Sequence, residues 1–193
     1  MNTISTTAAI ALLFLAVIVI AAVFLYQRRR SHRLQSRFGP EYRRTLEEVG
    51  SKTKAEAELE AREKRVKRLN IVALNASDAA RFASRWKTVQ ARFVDDPKGA
   101  ASEAGQLVHE LMSARGFPMG DFNRRAADIS VDHPQVVANY RAAQDIAMRN
   151  ERGEVTTEEL RKAVMHYRAL FDELLEERQQ DQKVGFTHHL KVQ

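Results

Sequence analysis

The side chains with the greatest chemical potential are a few histidines and their neighbours. His109 is followed by Glu110, the opening of a zinc metalloprotease helix. That chemistry requires a second imidazole four residues after the first, on the same helical face. Position 113 is Ser113, so the second ligand is missing. Asp132-His133 places a carboxylate beside an imidazole, a pair able to relay a proton. Pro134 follows, and capping of the helix it opens explains Asp132 without any chemistry. His166 beside Tyr167 lies on a helix with a clear apolar stripe and reads as a partly buried structural imidazole. His188-His189 has no acidic or imidazole partner at the spacing a metal needs. Trp86, the only tryptophan, could anchor a partner with Phe82, Gln90 and Phe93. Helical spacing favours core packing, which would give its indole N–H an acceptor such as Gln90.

The chain has no cysteine, which excludes thiolate metal sites, disulfides and cysteine nucleophiles. It also lacks a glycine-rich phosphate loop, a Gly-x-Ser-x-Gly elbow and a paired-carboxylate pattern. We therefore expect no catalytic, metal-binding or cofactor-binding residue. A pocket between helices drawing on Asp132, His133, Tyr140 or His166 is the alternative, as an enzyme or small-ligand receptor.

The elements that would position these groups are helical. Only 8 glycines and 4 prolines occur in 193 residues, too few turn signals for a sheet protein, and the expected fold is all-α. Residues 8–25 are an uninterrupted apolar run, long enough to cross most of a hydrocarbon core of about 30 Å. An export signal is the competing reading, but no basic residue precedes the run and no small-residue cleavage site follows it. The run ends on Tyr26-Gln27-Arg28-Arg29-Arg30. Between residues 27 and 44 stand seven arginines, among them Arg28, Arg29, Arg30, Arg33 and Arg37, against the single acid Glu41. The remaining 24 basic and 24 acidic residues balance, so the whole net charge of +6 sits beside the apolar run. That placement predicts an N-terminus outside and a C-terminal domain in the cytoplasm. The same arginines should contact anionic lipid headgroups. No nucleic-acid motif or aromatic platform accompanies them, so nucleic acid is not an expected partner.

After the anchor (1–27) and the basic segment (28–40), Phe38-Gly39-Pro40 should interrupt the helix. One long linking helix is expected over 41–69 within a linker at 41–75. Its thin apolar stripe suits a spacer, with folding back onto the domain as the alternative. From 76 to 178 the spacing predicts a bundle of four helices over about 77–94, 97–115, 134–152 and 157–178. Asp96-Pro97 should open the second, Gly116 should close it, and Thr156 with Glu159 forms a capping box for the fourth. The polar tail, 179–193, should be loose.

The order of an N-terminal span, Arg37-Phe-Gly-Pro-Glu-Tyr42, Arg85-Trp-Lys-Thr-Val-Gln-Ala-Arg-Phe-Val-Asp-Asp-Pro97, Ser130-Val-Asp-His-Pro134 with Asn139-Tyr-Arg141, and Tyr167-Arg-Ala-Leu-Phe171 resembles a family of uncharacterised single-pass bacterial membrane proteins. The resemblance covers nearly the whole chain. It implies the architecture above and a bacterial source, and it brings no activity, cofactor or partner. The expected function is a membrane-tethered interaction or scaffold module with a protein partner. The sequence leaves that partner's identity and the oligomeric state open.

Overall fold

The structure, a computed structural model, describes the backbone from Asn2 to His189 and the side chains of residues 10–175. Among these residues it contains eight helices and no strand: α1 (Asn2–Phe38), α2 (Pro40–Val49), α3 (Lys52–Val66), α4 (Ala76–Arg92), α5 (Pro97–Ala114), α6 (Phe122–Asp132), α7 (Val137–Glu151) and α8 (Thr157–His189). They divide into two units, Met1–Leu59 and Glu60–Gln193.

In the first unit α1 is long and apolar enough to cross a membrane, a property it shares with export signals. From Ile10 to Leu25 its large apolar side chains all face outward. Past Arg30 the same helix acquires a buried face, with Ser31, Leu34 and Phe38 at 6%, 0% and 0% exposure. Gly39, at φ 48, ends it, and Pro40 opens α2 where its missing N–H costs nothing. Where one long helix is expected over 41–69, the chain instead breaks into two. Gly50 adopts the left-handed conformation (φ 68, ψ 3), and its N–H closes α2 on Leu46 O. The helix that follows turns back. Glu56 of α3 accepts hydrogen bonds from Ser31 Oγ of α1 at 2.6 Å and Tyr42 OH of α2 at 2.9 Å. The spacer reading is therefore corrected: a left-handed glycine reverses the chain and a buried carboxylate fastens it.

In the second unit α4 to α8 share one core built around Trp86, Leu107, Leu111, Tyr140, Leu170 and Phe171. Burying each such side chain contributes roughly 1.5–3 kcal/mol. Helix α8 packs against α5 and α7, α4 against α5, and α6 against α7. Asn75 caps α4 through Asp78 N, one turn residue earlier than the spacing suggests. Asp96 caps α5 through Gly99 N, with Pro97 at the first position as expected. Gly116 takes φ 89 just past the end of α5. The capping box forms, with Thr156 N donating to Glu159 Oε2 at 2.8 Å and Glu159 N to Thr156 Oγ1 at 3.3 Å.

Helix α6 is the element that sequence spacing does not reveal. Asp121 caps it through Arg124 N, and it buries Ala126, Ala127, Ile129 and Val131. Its presence corrects the assignment of Asp132-His133 to the start of the next helix. Asp132 is the last residue of α6, and His133 leaves the helical region at φ −124, ψ 55. Pro134 disfavours helical geometry in the residue before it, which fixes that stop. Helix α7 then begins at Val137 without a side-chain cap. Helix α8 continues to His189, past the end expected near 178, which corrects the loose tail over 179–189; the side chains there, the His188-His189 pair included, lie outside the described residues.

Candidate functional site

The basic segment lies on the last three turns of α1. Arg28, Arg29, Arg33 and Arg37 are exposed and Arg30 is half-buried. Arg28, with Phe24 four residues before and His32 four residues after, forms one stripe along the helix, since residues four apart share a face. This stripe lines a groove of about 380 Å³ together with Lys52 at the start of α3. Behind the groove sits Glu56, 5% exposed, holding the two hydroxyls described above. Each bond to the carboxylate is worth about 1.5–3 kcal/mol. Burial, and then the Glu56 carboxylate, push the Tyr42 hydroxyl pKa up, so it stays a donor.

In the second unit the proposed chemical groups are each engaged locally. Tyr140, fully buried on α7, accepts from Arg125 Nε at 3.2 Å. The same hydroxyl lies 3.1 Å from His109 Nε2. Burial, then the Arg125 charge, lower the His109 pKa. Arg125 also donates to Gly120 O. Burial pushes the Tyr140 phenol up, partly offset by Arg125. Phe122 lies against the Tyr140 ring at 4.9 Å.

His133, 4% exposed, sits 3.2 Å from Glu173 Oε1 through Nδ1. Its pKa is lowered by burial despite that carboxylate, so a neutral ring donates Nδ1–H to an acceptor-only partner. Asp132 is exposed, and its charge acts on His133 and Arg115. His166 Nδ1 pairs with Asn139 Oδ1 at 3.0 Å, the structural role expected of it. His133, Tyr140 and His166 thus serve separate pairs, and none of the four residues of the pocket reading lines the cavity described next. The bundle's cavity of about 70 Å³ is lined instead by residues of α5, α7 and α8, including Ser102, Asn150 and Tyr167. Asn150 Oδ1 is buried there without a partner.

Trp86 is fully buried, its ring 4.6 Å from that of Phe171 and under the Arg168 guanidinium at 5.5 Å. The core reading of Trp86 holds, but its indole N–H has no acceptor. Gln90, the expected one, accepts from Arg168 instead.

Several buried charges escape sequence reasoning, among them Asp128 and Arg115 of the second unit. Asp128, with a fully buried side chain, accepts from Arg65 Nε at 2.7 Å and pairs with its Nη2 at 2.6 Å. Arg115, 3% exposed, donates to Val72 O at 3.2 Å and Leu174 O at 3.1 Å, while its own carbonyl accepts from Val72 N. The Arg115 contacts tie the segment before α4 to the end of α5 and the middle of α8. Among the described residues no group of three or more acidic or imidazole side chains could hold a metal ion.

Compared with protein families, curated proteins and solved structures, the chain matches none.

Proposed function

We propose that this protein is a single-pass bacterial membrane protein whose helical bundle is a tethered cytoplasmic interaction or scaffold module. The observation that carries the reading is the outward-facing apolar stretch of α1 running without a break into Arg28-Arg29-Arg30. An apolar helix exposed on all sides has a lipid environment as its stable surroundings, and arginines at its C-terminal end resist translocation. Anchoring raises the bundle's effective concentration beside other membrane proteins, which favours weak protein contacts.

Protease accessibility of the C-terminal bundle tests the orientation. Protection in intact spheroplasts and digestion after lysis are expected. Digestion in intact spheroplasts would overturn the cytoplasmic placement. Crosslinking of the intact protein in its membrane, followed by pull-down, tests the partner, and reproducible recovery of the chain alone counts against the module reading.

The alternative is a small-ligand site or enzyme between the bundle helices. It draws its support from the cavity that holds the unpaired Asn150 oxygen, and it requires residues other than Asp132, His133, Tyr140 and His166.

A further inference from the structure

We propose that the groove between α1 and the first turn of α3 binds a phosphate group, and that a lipid headgroup supplies it. The inference rests on the anchor reading above. The groove starts at Phe24, within the apolar run, and continues past Arg28 and His32 to Lys52. An occupant there meets an apolar wall at one end and cations at the other, the polarity of a phospholipid at the headgroup level. Its volume of about 380 Å³ admits more than a bare ion.

The charges are available. Neither the Arg28 nor the His32 side chain has a protein partner among the described residues. The Lys52 side chain is 60% exposed, and its nearest acid is Glu56 Oε1 at 3.9 Å. That oxygen already accepts from Ser31 and Tyr42. The first turn of α3 adds a second attraction. It contains Lys52 and Lys54 and no acid. Cations are disfavoured at a helix N-terminus, where backbone N–H groups lack partners. An anion in the groove relieves the repulsion that Lys52 experiences there and is drawn by Arg28 at the same time. Glu56 of α3 bonds to Ser31 of α1 and Tyr42 of α2, and Arg28 and Lys52 line the same groove.

The test uses the full chain in lipid nanodiscs and in detergent micelles. Native mass spectrometry counts bound phosphatidylglycerol against bound phosphatidylcholine, with inorganic phosphate as a competitor. One saturable phosphatidylglycerol is expected, retained at least tenfold more strongly than phosphatidylcholine. Arg28→Gln and Lys52→Gln should each weaken it about fivefold, the worth of one basic residue at a headgroup. Lys54→Gln removes the same charge from the same turn but not from the groove lining, and should stay within twofold. Equal losses for Lys52→Gln and Lys54→Gln, or equal retention of the two lipids, overturn the site in favour of diffuse attraction. Displacement of phosphatidylglycerol by millimolar inorganic phosphate overturns the lipid source. Loss of the protein from phosphatidylcholine discs overturns the anchor itself, whereas retention there with no lipid preference sinks the groove alone.

Discussion

Tyr140→Phe isolates the polar centre of the second unit. The substitution keeps the ring that lies 4.9 Å from Phe122 and deletes only the oxygen shared by Arg125 Nε and His109 Nε2. The bond to the charged guanidinium is worth about 1.5–3 kcal/mol and the neutral bond to the imidazole about 0.5–1.5 kcal/mol. Arg125 and His109 are only partly buried, so water can replace some of what they lose. The expected destabilisation is therefore about 2–3 kcal/mol, in the lower half of the sum. Tyr140→Ala also removes the fully buried ring and should cost about 3–5 kcal/mol. Trp86, the only tryptophan and fully buried against Phe171, reports unfolding directly through its fluorescence in a urea titration. A loss below about 0.5 kcal/mol for Tyr140→Phe would show that the hydroxyl holds nothing together. A loss equal to that of Tyr140→Ala would refute the separation of hydroxyl from ring.

The buried imidazoles give the unit a pH dependence. Both His109 and His133 have folded pKa values below the free value of 6.5, mainly through burial. The unfolded chain therefore binds more protons near that pH, and stability should fall as pH drops through about 6.5 and level off above about 7.5. Glu110 and Glu159, held below 4.5 by hydrogen bonds that involve Arg85 for the first and Thr156 with Arg149 for the second, stay ionised throughout that range. His109→Gln should flatten the slope in the same urea titration between pH 7.5 and 5.5, and an unchanged or reversed slope contradicts the assignment. Asp128→Ala leaves Arg65 without its carboxylate and should cost about 2–3 kcal/mol, less than a fully buried pair because Arg65 still reaches water. Asp128→Asn, which keeps an acceptor, should cost less, and equal thermal midpoints for the two variants would count against the ion pair. Gly116→Ala places a Cβ 2.4 Å from Asn70 O at φ 89. Calorimetry should show a loss of about 2–3 kcal/mol, and a neutral result would mean that the 70–75 segment does not pass there.

Much of this architecture can be read from local pattern. The apolar run, the Asp96-Pro97 start, Gly116 and the Thr156 capping box are each encoded within a few residues, and each is where spacing places it. Three features were harder to read, for physical reasons. Helix α6 buries mostly small side chains, Ala126 and Ala127 beside Ile129, whose weak contrast with neighbouring polar residues hides its stripe. Gly50 looks tolerable inside a helical pattern, because a glycine there costs only about 1 kcal/mol, and nothing nearby announces its left-handed backbone. The signal that was there to be used is Ser31, Leu34 and Phe38, whose three- and four-residue spacing shows that α1 needs a covering partner beyond the arginines. The polar pairs had no local signal at all. Arg65 meets Asp128 across 63 positions and His133 meets Glu173 across 40, so only the folded backbone brings them together.

Those distant pairs also bear on what the bundle can do. Alanines line much of its interior, including Ala100, Ala101, Ala104, Ala126 and Ala143. Small side chains allow close approach but discriminate poorly between neighbouring helix registers, because sliding one helix past another alters little packed volume. Buried polar groups discriminate strongly, since a shift strands a donor or a charge. Tyr140 with His109 and Arg125, His133 with Glu173, and His166 with Asn139 each join different helices or a helix and its flanking turn. A change of register would break these pairs. On the proposed reading, the histidines contribute to helix alignment, and a bundle aligned this way offers a fixed surface for a partner. On the proposed reading, function belongs to that surface and to the tether. Substitutions at His133 or His166 should then lower stability and partner capture together, whereas an enzyme using either imidazole would lose turnover while still unfolding at the same urea concentration.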